Sequence, residues 1–245
     1  MNENRLYKDL AYLWPLVSPP EEYADEATYW RNALRAKLGP GRHPVLELGV
    51  GGGHNLSHLT RDLQATAVDI SEEMLALSRK LNPQVEHIVG DMRSIRLGRT
   101  FKAVLVHDAI SYMLTEADLV AAFQTARAHL EQGGIFITAP DGYRDTFKGT
   151  DVWHQITRSG GMELTFIEYQ TDPDPDDTTM ESVLFYLIRE NGQLRVEQDH
   201  HLTGLFPLET WLRLLAEVGF RTEQWPYPVN DDGSEAYLLV SELQS

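Results

Sequence analysis

Between Val45 and Asn55 the chain reads Val-Leu-Glu-Leu-Gly-Val-Gly-Gly-Gly-His-Asn: a short apolar run, then glycines, then a helix start. Glycines let the backbone turn sharply, bring N–H groups close to a ligand and aim a helix N-terminus at a negative group. Such a loop suits a nucleotide-like cofactor. Asp69 follows about twenty residues beyond it, at the end of the next apolar run, where a carboxylate accepts hydrogen bonds from both ribose hydroxyls. A nicotinamide fingerprint wants glycine at the last position of G-x-G-x-x-G, and counting from Gly49 that position is His54. For proton transfer, histidine is the side chain that titrates nearest neutral pH. His107 has the best placed imidazole, at the carboxyl end of a predicted strand, where open α/β sheets bind ligands. His154, His200 and His201 lie in regions that could also face the reacting atoms. His200 and His201 are adjacent on a predicted strand, so only one can face a pocket and the other faces solvent.

The elements that must carry these residues follow from hydrophobic periodicity. Residues 44–49 suit a buried strand, with a helix from near His54. Residues 65–70 form a second strand, then Ser71 as N-cap, Glu72 and Glu73 in the first turn, and Met74, Leu77 and Leu81 at helical spacing. The rhythm repeats with strands over 85–89 and 103–107, a helix over 116–130 and a strand over 134–139. Alternating strand and helix means a parallel sheet covered on both faces. After Pro140 three strands are predicted, over 162–170, 178–190 and 193–202, the last two joined by the tight-turn pair Asn191-Gly192. The acidic, proline-bearing stretch 171–177 is read as an exposed loop. A helix over Leu208, Trp211, Leu212, Leu215 and Val218 stops at Gly219. Strands over 220–225 and 236–242 would close the main sheet antiparallel. The first forty residues, with Tyr7, Trp14 and Trp30 on two apolar segments split by Ser18-Pro19-Pro20, are read as a helical lid; packing against the sheet is the plain alternative for Trp14 and Trp30. The expected division is a lid over 1–40, a cofactor-binding core over 41–160, an antiparallel insertion over 161–205, and a closing helix and strands over 206–245.

The composition excludes several classes of function. The chain has 245 residues, 42% of them hydrophobic and 24% charged, enough for one sizeable core. With no cysteine, disulfides, cysteine-bound metals and cysteine nucleophiles are out. Lys plus Arg number 21 against 37 Asp plus Glu, a formal charge of −16 that repels a phosphate backbone, so nucleic acid is not expected as a substrate. No apolar stretch reaches membrane-spanning length and no signal-peptide pattern opens the chain, so a cytoplasmic location is the expectation.

The order Glu47, Gly49, Gly51, Gly53 resembles the first motif of class I S-adenosylmethionine-dependent methyltransferases, and the resemblance extends over most of the chain. It implies a Rossmann-like, mostly parallel seven-stranded sheet with helices on both faces and an antiparallel insertion after the fifth strand. Asp69 with Ile70 looks like the family's ribose carboxylate and its adenine-flanking neighbour, Gly90-Asp91-Met92 like the adenine-edge motif, and residues 107–112 like the segment beneath the methyl group. The insertion and the run Asp199-His200-His201-Leu202 to Phe206-Pro207-Leu208 are similar to glycine and sugar-amine N-methyltransferases. That narrower likeness makes Tyr7 and Tyr12, on an N-terminal segment that closes over the cofactor, candidates to reach the sulfonium or the substrate.

The resemblance therefore implies S-adenosylmethionine as cofactor, held by Tyr7, Glu47, Gly49, Gly51, Gly53, Asp69, Ile70, Asp91, Met92 and His107. His107, His201 and Tyr12 are the candidates for catalysis, and the acceptor is a small molecule methylated on N or O. Methyl transfer is an in-line displacement, so a base is optional. His107-Asp108-Ala109-Ile110 is not the Asn-Pro-Pro-aromatic signature of adenine-amino and glutamine methyltransferases. Gly142 stands where magnesium-dependent relatives carry asparagine, so no metal is expected. A nicotinamide oxidoreductase and a catalytically silent cofactor-binding scaffold are the rival readings. Exposed strand edges in the insertion could pair with a second copy of the chain.

Overall fold

The computed structural model describes residues 4–227 and 236–244. The chain enters through single 3-10 turns at Arg5–Tyr7 and Ala11–Leu13, the short helix α1 (Trp14–Val17) and a third turn at Pro20–Tyr23, then forms α2 (Ala24–Leu38). Strand and helix then alternate: β1 (His43–Leu48), α3 (His54–Leu59), β2 (Leu63–Asp69), α4 (Glu72–Leu81), β3 (Glu86–Val89), β4 (Phe101–Val106), α5 (Glu116–Ala128) and β5 (Leu130–Thr138). Antiparallel strands β6 (Asp151–Ser159), β7 (Met162–Thr171), β8 (Thr179–Glu190) and β9 (Gln193–Gly204) come next, then α6 (Leu208–Val218), β10 (Phe220–Pro226) and β11 (Tyr237–Leu243).

The main sheet has seven strands in the order β10-β11-β5-β4-β1-β2-β3. Its central strands are buried on both faces, as a parallel sheet between helix layers requires. On one face α5 and α6 bring Phe123, Trp211 and Leu215 against Leu46, Val104 and Phe136. On the other, α2 seats Trp30, Ala33 and Leu34 on Val45, Leu105 and Ile137. Ser71 caps α4 as its sequence position demands, its hydroxyl accepting from Met74 N at 3.1 Å. No helix among the described residues is long and apolar enough to cross a membrane.

Three elements depart from expectation. The antiparallel sheet has a fourth strand, β6, and begins at Asp151, before the expected 161. β6 is an edge strand with little buried on either side, so it lacks the apolar alternation by which a strand is recognised. Of the two closing strands only β11 runs against its neighbours; β10, antiparallel to β11, is parallel to the rest. The stretch read as one lid is two structures. α2 belongs to the core, with Trp30 wholly buried and its indole N–H donating to the Tyr227 hydroxyl at 3.0 Å. Only the segment before it crosses the site, where Leu6, Leu10, Leu13 and Val17 cover the inner face of the antiparallel sheet at Leu164, Phe166, Leu184 and Tyr186.

Candidate active site

A cavity of about 550 Å³ opens at the carboxyl ends of β1, β2 and β4, under the N-terminal segment. β1 and β4 are neighbours whose connections leave in opposite directions, the switch point where open α/β sheets bind ligands. Two shallower hollows of about 400 and 410 Å³ lie at the other end of the strands.

The loop after β1 forms the floor. Gly49 and Gly51 have φ of +74° and +55°, the left-handed region that favours glycine. A Cβ on Gly49 would also press on Met92 Cε at 2.8 Å. Gly51 N donates to Asp69 Oδ2 at 2.7 Å and Ser71 N to Asp69 Oδ1 at 2.8 Å, so one carboxylate ties the glycine loop to the start of α4. Burial pushes the Asp69 carboxyl up, against the pull of those backbone donors. Glu47 is 3% exposed, and burial pushes its carboxyl up to about 8, with His107 opposing. Its Oε2 has no partner, and the same holds for Trp14 Nε1 and Asn55 Oδ1, all from residues that line the cavity.

Tyr7, Glu47, Gly49, Gly51, Asp69, Ile70, Asp91, Met92 and His107 all line this cavity. Gly53 does not. It caps α3 with φ +74°, its carbonyl accepts from Asn82 Nδ2 at 2.9 Å, and a Cβ there would strike Ser78, so it serves the packing of α3 on α4. Asp91 is more engaged than its motif suggests: the Arg93 guanidinium grips both carboxylate oxygens, at 2.7 Å for Nη2, and holds the carboxyl below its usual range. Ile70 is 68% exposed, an apolar side chain turned into the open cavity.

Of the three candidates for catalysis, none stands as a base at the cavity wall. His107 reaches Glu26 Oε2 with Nε2 at 2.8 Å and Asp108 Oδ1 with Nδ1 at 3.2 Å. Burial works against its charge, but Asp108 and Glu26 outweigh it and lift the imidazole well above its usual value. With both nitrogens spent on carboxylates it has no lone pair to take a proton; it is a buried cation that holds Asp108 at the cavity. Tyr12 is 45% exposed on the far side of its turn, its hydroxyl taken by Arg195 at 2.6 Å. His201 is 4% exposed and sits behind the wall: its Nδ1 meets the hydroxyl of Tyr112 at 2.6 Å, and that hydroxyl lies 2.9 Å from Tyr7's. His200 points to the opposite face, near Glu181 at 3.5 Å, and His154 is exposed on that same face of β6.

Residues missed in the sequence complete the site. Glu26 comes from α2 and Tyr227 from the residue after β10, and no local pattern announces them. Asp199 had a signal: it stands two residues before His201 on one strand, hence on the same face. Beyond the glycine loop Asp108 lines the cavity, and Asp141 and Glu168, outside the lining, act with it on the Tyr112 hydroxyl. Burial and then Asp108 push the Asp141 carboxyl up to about 8, while His107 offsets burial and keeps Asp108 low.

A sheet of this order with a glycine loop, a ribose-type carboxylate and an apolar flank at its switch point defines a nucleoside-cofactor enzyme of the methyltransferase kind. Residues 45–134 match the family model described as a methyltransferase domain. The chain is 30% identical over 206 residues to the dTDP-3-amino-3,4,6-trideoxy-alpha-D-glucopyranose N,N-dimethyltransferase of Streptomyces venezuelae, covering 83% of this chain and 85% of that protein. It overlays on Streptomyces venezuelae DesVI with a TM-score of 0.82 at 25% identity, covering 97% and 96% of the two chains. With SAM-bound CalS10, an amino pentose methyltransferase from Micromonospora echinaspora, it shares the fold at a TM-score of 0.78 and 23% identity, covering 90% and 91%. The chain belongs to the class I S-adenosylmethionine-dependent methyltransferase family. It is an enzyme that moves a methyl group from S-adenosylmethionine to nitrogen or oxygen of a small molecule.

Proposed function

We propose that the acceptor is the amine of an amino sugar, methylated on nitrogen. The observation that carries this reading is the set of carboxylates in the cavity lining, Asp69, Glu73 and Asp108, with Asp108 on the same lining as Tyr7 and Tyr112, which attracts a cation. An amino sugar reaches the enzyme as an ammonium ion; of the relatives named above, one is an amino-sugar N,N-dimethyltransferase and CalS10 an amino pentose methyltransferase.

The lining fits the cofactor. Asp69 would hold the ribose with Ile70 against the adenine; Asp91, whose oxygens keep lone pairs beside Arg93, and Met92 would take the other side of the ring. The unpartnered Glu47 Oε2, Asn55 Oδ1 and Trp14 Nε1 suit the charged ends of an amino acid, over the backbone of Gly49 and Gly51. Bound there, the cofactor supplies an electrophilic methyl on a sulfonium. The protein aligns the nitrogen in line with it, shields the space with the N-terminal segment and places carboxylates where positive charge resides. The apolar outer face of the antiparallel sheet is read as the seat of a second copy, and a cytoplasmic setting suits a cysteine-free, acidic chain.

Turnover with S-adenosylmethionine and the S. venezuelae relative's amino sugar, read by mass spectrometry, should add one and then two methyl groups, and the 3-hydroxy sugar should add none. Methylation of the hydroxyl sugar alone would overturn the nitrogen assignment. In calorimetry, Asp69→Ala and Gly51→Val should each lose S-adenosylhomocysteine binding. Undiminished binding in both, or binding of NADH alone, would remove the site assignment.

A further inference from the structure

Tyr7, a residue of the cavity lining, begins a chain of hydrogen bonds that ends on a residue outside it: Tyr7 to Tyr112 at 2.9 Å, Tyr112 to His201 Nδ1 at 2.6 Å, His201 Nε2 to Asp199 Oδ2 at 2.8 Å. Asp199 also accepts from the backbone of Leu6 at 2.7 Å and of His200 at 2.8 Å. Burial opposes its charge, but the bonds from His201 and the backbone outweigh it and hold it ionised.

That carboxylate dictates the direction of every other bond. It can only accept, so His201 Nε2 carries a proton, and in the neutral ring Nδ1 is an acceptor. Tyr112 has a single proton and spends it on Nδ1. Tyr7 must then donate to Tyr112, since burial keeps both phenols protonated. The Tyr7 oxygen is left facing the cavity with lone pairs and no proton to give.

We propose that Asp199, His201 and Tyr112 fix the Tyr7 hydroxyl as a hydrogen-bond acceptor toward the acceptor amine, and that the four residues form the path by which the methylated nitrogen loses its proton. The inference rests on the nitrogen-acceptor reading above. The ammonium first gives up one proton to water as the sugar docks, because only the free amine has a lone pair; methyl transfer then turns that lone pair into a bond and leaves the nitrogen with one proton too many. Breaking that N–H bond gives the proton to Tyr7 Oη. The Tyr7 proton passes to Tyr112 Oη, and the Tyr112 proton to His201 Nδ1. The result is an imidazolium against the Asp199 carboxylate, with the amine–Tyr7, Tyr7–Tyr112 and Tyr112–His201 bonds reversed and the His201–Asp199 bond unchanged. Tyr7 now points its O–H into the cavity and returns the proton to water when the product leaves. Tyr7 touches the substrate; Tyr112, His201 and Asp199 are positioning residues that act through it. A regenerated free amine is what a second methylation requires.

The test has two arms. In the full-length, 15N-labelled protein bound to S-adenosylhomocysteine, long-range proton–nitrogen correlation at pH 7 should show His201, assigned by its absence in His201→Gln, as the neutral Nε2–H tautomer. Its Nδ1 resonance should shift in Tyr112→Phe. An Nδ1–H tautomer, or an imidazolium at pH 7, overturns the proposal. In turnover of the relative's amino sugar, Tyr112→Phe and His201→Gln should lower kcat about 100-fold. KM and S-adenosylhomocysteine affinity should stay within about threefold, and the rate should rise toward high pH, where hydroxide takes over the proton. An unchanged kcat and pH profile in Tyr112→Phe overturns it too. If the wild-type protein methylates no amine, the nitrogen-acceptor reading fails by itself, and the tautomer still decides the polarity of the chain.

Discussion

Two histidines show how partners decide what one side chain can do. His107 sits between the carboxylates of Glu26 and Asp108, which lift its imidazole well above the usual value; His201 has a carboxylate, which only accepts, on one nitrogen and a phenol, which can donate, on the other. Glu47 illustrates the cost of a buried acid without a partner. Its folded-state value of about 8 lies above the unfolded one, so the folded protein binds the extra proton. The stability tied to that proton is complete below the unfolded value of about 4.3 and is lost as pH rises through about 8. Glu47→Gln should therefore raise the melting temperature of the ligand-free protein at pH 8.5 and change it little at pH 4.5, with a difference of up to about 5 kcal/mol. A variant that melts in parallel with the wild type across that range would contradict the assignment. Asp69 and its glycines were legible because their spacing along the chain is itself the chemistry. The partner of His107 was not, since Glu26 is brought to it only by the packing of α2.

At the scale of elements, the N-terminal segment is fastened at both ends of the cavity. Ser71 Oγ donates to the Tyr7 carbonyl at 2.5 Å while it caps α4, and His54 and His58 of α3 bond the carbonyls of Ser18 and Pro20 at 2.7 and 2.8 Å. Ser71→Ala removes the cap and one fastening together, and should cost about 1–2 kcal/mol in urea unfolding. Hydrogen exchange should quicken at residues 7–13 as well as in the first turn of α4; exchange confined to α4 would mean that the two are uncoupled. The parallel strands and their helices could be read from sequence because burial on both faces writes a continuous apolar run. β6 could not, although Gly160-Gly161, with φ of +57° and +85°, is as plain a hairpin turn as the Asn191-Gly192 pair that was recognised. The outward setting of Tyr12 escaped the sequence for a related reason. Irregular 3-10 turns have no periodicity that sorts one tyrosine inward and the other out.

For the whole molecule, the antiparallel sheet has two unlike faces. The N-terminal segment covers one. The other carries Val152, Ile156, Leu194 and Val196, each more than half exposed, across three hydrogen-bonded rows. An apolar face on a chain of net charge −16 calls for a cover. With a second copy as that cover, sedimentation should give a dimer that Ile156→Lys with Val196→Lys converts to monomer, leaving S-adenosylhomocysteine affinity unchanged. A wild-type monomer would refute it.

The main sheet also sets an order of events in the birth of the protein. β5 finds its neighbour in β11, where Thr138 pairs with Leu239, and the whole antiparallel sheet and α6 are made in between. During synthesis the edge of β5 waits, unpaired and apolar, until β11 has left the ribosome. Such an edge is what slows folding and invites a neighbouring nascent chain to bind in place of β11. The yield of active enzyme should then be decided by how quickly β11 arrives, and by how well β5 is sheltered until it does.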